Sequence, residues 1–334
     1  MIITTDEQFV NGHGGKRETG AAISTQTEPA KLFDASVSEM LYLTGRPTLK
    51  EFLRFVAREG IGSESEATLV DEWYAAKDAL AVIEKEEKGD ADAPYMRELD
   101  PEDEPLLIEF LKDPIQRANF NAVPSGIELV ELDRLVVYQK HIDLTFAEGL
   151  DRRIGPAPSR EEIFKTCLPY DHPRPPAKWS RVNSDTYTFV SPSNDLRFLG
   201  AIPLDSVDVK DGAHWGDVVG YLGLAVGFGS NFMNAVHIEN RLILNNGSHR
   251  AYALRKMGVT HVPCVVQHVP SRDAIEVVAS KEICEDVDLY LNHPRPPMLK
   301  DYFNSRLHKV FPFRRRLQQI TVHFEVSEAD IPIL

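Results

Sequence analysis

Leu242-Ile243-Leu244-Asn245-Asn246-Gly247-Ser248-His249-Arg250-Ala251-Tyr252-Ala253-Leu254 is an apolar strand that passes through a few polar residues straight into a helix. At such a junction the first unpaired backbone N–H groups and the positive end of the helix dipole share one small space, which suits an anion and phosphate above all. Gly247 lets backbone and ligand approach closely, Ser248 can cap or donate, and His249 and Arg250 add two donors at the rim. The same Asn-Gly-Ser run is also a good turn before a good helix start, and such turns need bind nothing. The placement of His249 and Arg250 favours the anion, because a purely structural helix start prefers acids there.

Working outward, Gly258 stops the helix, and Val259–His268 is rich in β-branched residues, so the unit reads strand, turn, helix, strand. Upstream, Ala235–Ile238 and Arg241–Leu244 flank Glu239-Asn240 as a hairpin turn. This arrangement resembles the ParB/sulfiredoxin superfamily, the ParB-like nuclease domain, whose core carries a strand ending in Gly-x-His-Arg, a helix with a small-residue start, and a Gly followed by a Val-Pro strand. Here those residues are Gly247, His249, Arg250, Ala253, Gly258, Val262 and Pro263. The segment Leu132–His141 loosely resembles the superfamily's opening strand and its polar Gln-bearing loop.

The resemblance implies an α+β fold with a small mixed-sheet core, and a loop, Asn246 to Arg250, that binds nucleotide phosphates. It implies ATP or another nucleotide as cofactor, with Mg2+ held mainly by the phosphates and by carboxylates, for which Glu239, Asp217 and Asp211 are the candidates. His249, Glu239 and Ser248 are the candidate catalytic residues, with Arg174, Arg295 and His237 as secondary candidates. Sulfiredoxins carry a cysteine between the Gly and the His. Ser248 stands there, and a hydroxyl cannot form a thiosulfinate, so sulfinic-acid reduction is set aside. No helix-turn-helix is legible after Pro270, which weakens the DNA-partitioning branch. The expectation is a phosphotransferase or nucleotide hydrolase acting on a small molecule. The alternative is a DNA-associated or regulatory protein using nucleotide as a switch.

Charge supports the first. A formal net charge of −14 makes non-specific adhesion to nucleic acid or anionic membrane unfavourable. Arg314-Arg315-Arg316 is the one basic cluster, and it can equally be an edge that pairs with acids. Three widely spaced cysteines, Cys167, Cys264 and Cys284, point to free thiols and a cytoplasmic setting, and no His/Cys spacing suggests a protein-bound metal. Nothing in the chain reads as a membrane span.

Three regions are expected: a polar tail over 1–28, an acidic helical region over 29–125, and the α/β core with a C-terminal extension over 126–334. Helices are expected after Thr48, from a capping box at Ser63/Glu66 to about Glu86, after Asp100-Pro101, and from Ser159 to Leu168 with Glu162 closing a capping box. Strands are expected at Ile127–Leu132, Leu135–Tyr138, Thr186–Val190, Arg197–Ile202 and Ile320–Val326, with a loop over Asp208–His214. Gly227-Phe-Gly-Ser230 is a candidate second backbone approach to a ligand. His172-Pro-Arg-Pro-Pro176 recurs identically as His293–Pro297, forming either two lips of a cleft or two rigid corners.

Overall fold

A computed structural model describes residues 37–62, 64–172, 175–193, 195–204 and 218–331. The expected tail, Ser63, Arg174, Asp211, Asp217 and the expected 208–214 loop lie outside these residues. In chain order the elements are β1 (Val37–Leu43), α1 (Leu49–Glu59), α2 (Glu66–Glu86), β2 (Met96–Glu98), α3 (Glu104–Phe110), α4 (Pro114–Asn119), β3 (Ser125–Glu131), β4 (Val136–Val137), β5 (His141–Asp143), α5 (Leu144–Ile154) and α6 (Arg160–Cys167). They continue with β6 (Lys178–Arg181), β7 (Thr186–Ser191), β8 (Leu196–Leu204), β9 (Tyr221–Phe228), β10 (Asn234–Ile238), β11 (Arg241–Asn246), α7 (Ser248–Lys256), β12 (His261–His268), α8 (Lys281–Glu285), α9 (Val287–Leu291), β13 (His308–Arg314) and β14 (Gln318–His323).

Local chemistry explains many boundaries. Thr48 and Glu51 cap α1 reciprocally, and Ser159 and Glu162 do the same for α6, so each helix start satisfies two backbone donors with its own sequence. α2 starts from Ser65, whose side chain accepts from the Thr68 amide. Asp100-Pro101 opens a short 3-10 turn that runs into α3.

The centre is a six-stranded mixed sheet in the order β2-β3-β12-β10-β11-β4, parallel at β12/β10 and β11/β4 and antiparallel elsewhere. Alternation along β10 and β11 sends side chains to two cores. Ala235, Leu242 and Leu244 pack with Leu150, Phe164, Ala251 and Leu254 from α5, α6 and α7. Val236, Ile238 and Ile243 pack on the other face with Ile275, Ile283, Tyr290 and Met298. The chain is therefore α+β, with strands and helices distributed around one mixed sheet.

The expected boundary between a helical region and a core at residue 125 is not present. β1 pairs with β13 and β5, β2 pairs with β3 in the central sheet, and the described residues all fall in one compact unit. Val37–Leu43 is a strand that its own neighbours in sequence do not announce, because its principal partner, His308–Arg314, lies at the opposite end of the described chain. Two smaller sheets, β6-β7-β14 and the β8-β9 hairpin, complete the described residues. The three cysteines are free, Cys167 and Cys264 being buried. No helix among the described residues is long and apolar enough to cross a membrane.

Candidate functional site

The junction between β11 and α7 is one residue long. β11 ends at Asn246, Gly247 alone turns the chain with φ 107° and ψ 16°, and α7 begins at Ser248. Gly247, not Ser248, is therefore the helix N-cap, and Ser248 occupies the first helical position with its side chain buried. A β-carbon on Gly247 would lie 3.1 Å from Met233 Cγ and 3.2 Å from Cε, so both backbone conformation and packing require glycine. The first turn of α7 closes with the Ala251 amide donating to the Gly247 carbonyl, 2.8 Å, which leaves the amides of Ser248, His249 and Arg250 without an intrahelical acceptor.

The polar side chains on either side face inward. Asn245 Nδ2 donates to Asn234 Oδ1 (3.0 Å) and to the Val278 carbonyl (3.1 Å), while its Oδ1 accepts from the Ser280 amide (2.9 Å). Asn246 Nδ2 donates to the carbonyls of Phe232 (3.0 Å) and Ser230 (3.4 Å). These bonds tie the turn to the chain entering β10. The expected Gly-Phe-Gly-Ser approach thus does reach the turn, but its Ser230 carbonyl accepts from Asn246, and the Gly229 amide donates to Asp195 Oδ2 at 2.9 Å.

Arg250 is not at the rim. It is 6 % exposed, and its Nη1 donates to the carbonyls of Asn231 (2.6 Å), Thr166 (3.2 Å) and Cys167 (3.3 Å), collecting the end of α6 and the segment before β10 under the turn. Sequence reasoning missed these carbonyl partners, which lie up to 84 residues away. Nη2 donates to no described residue and stands 3.4 Å from the point a Gly247 β-carbon would occupy. A guanidinium this deep is desolvated, and burial presses its pKa below the ordinary value.

His249 packs edge-on against Phe146 of α5 with ring centroids 5.5 Å apart. Burial, then the nearby Arg250 charge, lowers its pKa to about 4. At neutral pH the ring is uncharged, so it is suited to orient a group by hydrogen bonding or to accept a proton, and not to donate one as an acid. His141 of β5, a neighbour that the sequence did not single out, is held at about 4 by burial and by the proximity of His249. Gln139 Nε2 lies 3.3 Å from its Nε2.

The other predicted residues lie elsewhere. Glu239 sits in the hairpin turn at the opposite end of β11, with φ 53°, and its carboxylate holds Arg272 at 2.6 and 3.1 Å; it is not a catalytic neighbour of Gly247. His237, beside Leu242 at that same end, places Nδ1 3.1 Å from His268 Nδ1, and His268 Nε2 meets Glu128 Oε1 at 2.7 Å. Arg295 is 1 % exposed and fully engaged with Asp301, Glu87 (3.0 Å) and the Pro296 carbonyl (2.7 Å). The second His-Pro-Arg-Pro-Pro segment is thus a rigid corner that clasps α2, not a lip of the site. In the first copy His172 bonds the Asp113 carboxylate. Arg315 and Arg316 pair with Asp143 (3.6 Å) and Glu59 (3.1 Å), the acid-pairing alternative for that cluster.

The donor set suits a phosphate group: three amides and an Nη2 that donate to no described residue, a helix dipole and the Ser248 hydroxyl. Among the described residues no three His, Cys, Asp or Glu side chains converge, and the Asp195 carboxylate, whose charge acts on Arg250, is engaged with the Gly229 amide and Arg197. Comparisons with family models, curated proteins and solved structures returned no match.

Proposed function

We propose that the protein binds the phosphate of a nucleotide or phosphorylated small molecule at the Asn246–Arg250 turn of a ParB/sulfiredoxin-like core, and acts there in phosphoryl transfer or nucleotide hydrolysis. The observation that carries this reading is a glycine-only turn whose helix start leaves the Ser248, His249 and Arg250 amides without an intrahelical acceptor, with Arg250 Nη2, which donates to no described residue, 3.4 Å from the point a Gly247 β-carbon would occupy. A turn that served structure alone would be complete with Nη1 on its three carbonyls. Preorganised amides and a guanidinium stabilise charge on a transferring phosphoryl group without reorganisation at the moment of reaction. The neutral His249 ring can orient a nucleophile or accept its proton; Ser248 offers a hydroxyl at the helix start. Any magnesium ion would arrive with the phosphates, and no step is assigned to it.

The test is calorimetric titration of the full chain with ATP, ADP, CTP and inorganic phosphate, with and without magnesium, on the wild type, Ser248→Ala and His249→Gln. Saturable binding by at least one phosphate compound, weakened several-fold in both variants, is expected. Absence of heat with every compound refutes the proposal. Binding without turnover removes its catalytic half.

A further inference from the structure

α5 and α7 lie side by side with their starts at the same end. The Phe146 and His249 rings meet there with centroids 5.5 Å apart, and further along the pair Lys256 Nζ meets Asp151 Oδ2 at 3.2 Å. Asp143 fixes the start of α5 by accepting the Phe146 amide at 3.1 Å. Ala147 and Leu150 carry the buried face of α5, and Phe146 projects away from it. The ring is 50 % exposed and belongs to none of the hydrophobic clusters formed by the described residues. Its one aromatic contact among them is His249. Because His249 also carries one of the three amides at the start of α7, a group bound to those amides lies within reach of the phenyl ring by about the span that separates phosphate from base in a nucleotide.

The chemistry of the surrounding wall is uncharged. His141, held neutral like His249 by burial, stands behind it, and Phe55 lies 5.4 Å from His141 between ring centroids. The cations that border this wall are paired with acids: Arg315 with Asp143 at 3.6 Å, Lys140 with Glu51 at 3.7 Å and Arg316 with Glu59 at 3.1 Å. Such a wall suits a flat, π-faced group better than a second phosphate or a bare sugar. We propose that the ligand is a nucleotide whose base stacks on Phe146 while its phosphate takes the amides of Ser248, His249 and Arg250. The inference rests on the phosphate reading above and narrows it to ligands that carry a base. Every base has a π-face, so Phe146 contributes affinity without choosing among bases. The neutral His249 ring adds one donor and one acceptor beside the stacked base.

Calorimetric titration of the full chain with AMP, CMP, ribose 5-phosphate and inorganic phosphate tests this, on the wild type, Phe146→Ala and Phe146→Trp. The wild type is expected to bind AMP or CMP about 10-fold or more tighter than ribose 5-phosphate, the worth of one base on one aromatic ring. Phe146→Ala removes that margin and leaves binding of ribose 5-phosphate and phosphate as in the wild type. Phe146→Trp keeps the margin, and the fluorescence of the added indole is quenched by nucleotide and not by ribose 5-phosphate. Both variants keep the wild-type thermal unfolding midpoint, because Phe146 lies outside the core. Ribose 5-phosphate binding as tightly as AMP and CMP overturns the inference while the phosphate reading stands, and so does a nucleotide preference that survives Phe146→Ala. No binding by any of the four compounds refutes the phosphate reading itself, and the inference with it.

Discussion

Replacing Gly247 by alanine probes the turn on which the site depends. The residue sits at φ 107°, where an L side chain is strained by about 1–3 kcal/mol. The new β-carbon would also press on Met233, 3.1 Å to Cγ and 3.2 Å to Cε, in a region where Met233 itself is fully buried and donates its amide to Cys167. Methionine is flexible, so this second effect adds only about 1 kcal/mol, giving a total loss of roughly 2–4 kcal/mol. Equilibrium urea unfolding reads the change directly. Because strain and crowding are separable, the Gly247→Ala/Met233→Ala pair should couple favourably: the double variant falls short of the sum of the singles by about 1 kcal/mol. A Gly247→Ala protein within about 0.5 kcal/mol of wild type would refute the claim that this position demands glycine.

Three further outcomes follow from the same geometry. Arg250→Met leaves the carbonyls of Thr166, Cys167 and Asn231 without their donor and should lower unfolding stability by about 2–5 kcal/mol; a drop below about 1 kcal/mol would show that the guanidinium is not structural. Burial lowers His141 and His249 to about 4 from an ordinary 6.5, so the unfolded chain takes up protons that the folded one resists between those values. Stability is full above pH 6.5 and falls by roughly 3 kcal/mol per ring as pH drops toward 4, and His141→Gln/His249→Gln should flatten that slope in pH-dependent urea unfolding; an unchanged slope contradicts the assignment. Arg295→Met strands the buried Asp301 carboxylate and should cost about 3–5 kcal/mol, with Arg295→Met/Asp301→Leu recovering part of it in thermal unfolding; equal losses in both would deny the pairing.

What could be read from the sequence was what neighbours in sequence decide. The Thr48 cap, the Ser159/Glu162 capping box, the Glu239-Asn240 hairpin and the strand, turn and helix of 241–256 each satisfy their hydrogen bonds within a few residues, whereas α2 takes Ser65 as its cap in place of the expected Ser63/Glu66 box. β1 was hidden because its strand partners come from 141–143 and 308–314, and with it went the supposed boundary at 125. At the site, the glycine and the free amides were legible, while the burial of Arg250 was not, since nothing near it in sequence announces that the carbonyls of 166, 167 and 231 converge on its guanidinium. The residue type of His249 leaves its protonation state open; Phe146 and the surrounding core make it a neutral ring. The choice between lip and rigid corner for Arg295 was not legible, because its partners, Asp301 and Glu87, lie six residues ahead and more than two hundred behind.

The central claim is that the amides of Ser248, His249 and Arg250 receive phosphate. Amide chemical shifts of the isotopically labelled chain, followed during titration with inorganic phosphate and then with ATP, test it at the atoms concerned. Saturable shifts confined to residues 246–250 and the Asn231–Met233 segment beneath them are predicted with phosphate, and ATP adds the first turn of α5. Shifts that spare these amides while the compound binds elsewhere, or no shift with either compound, would contradict it.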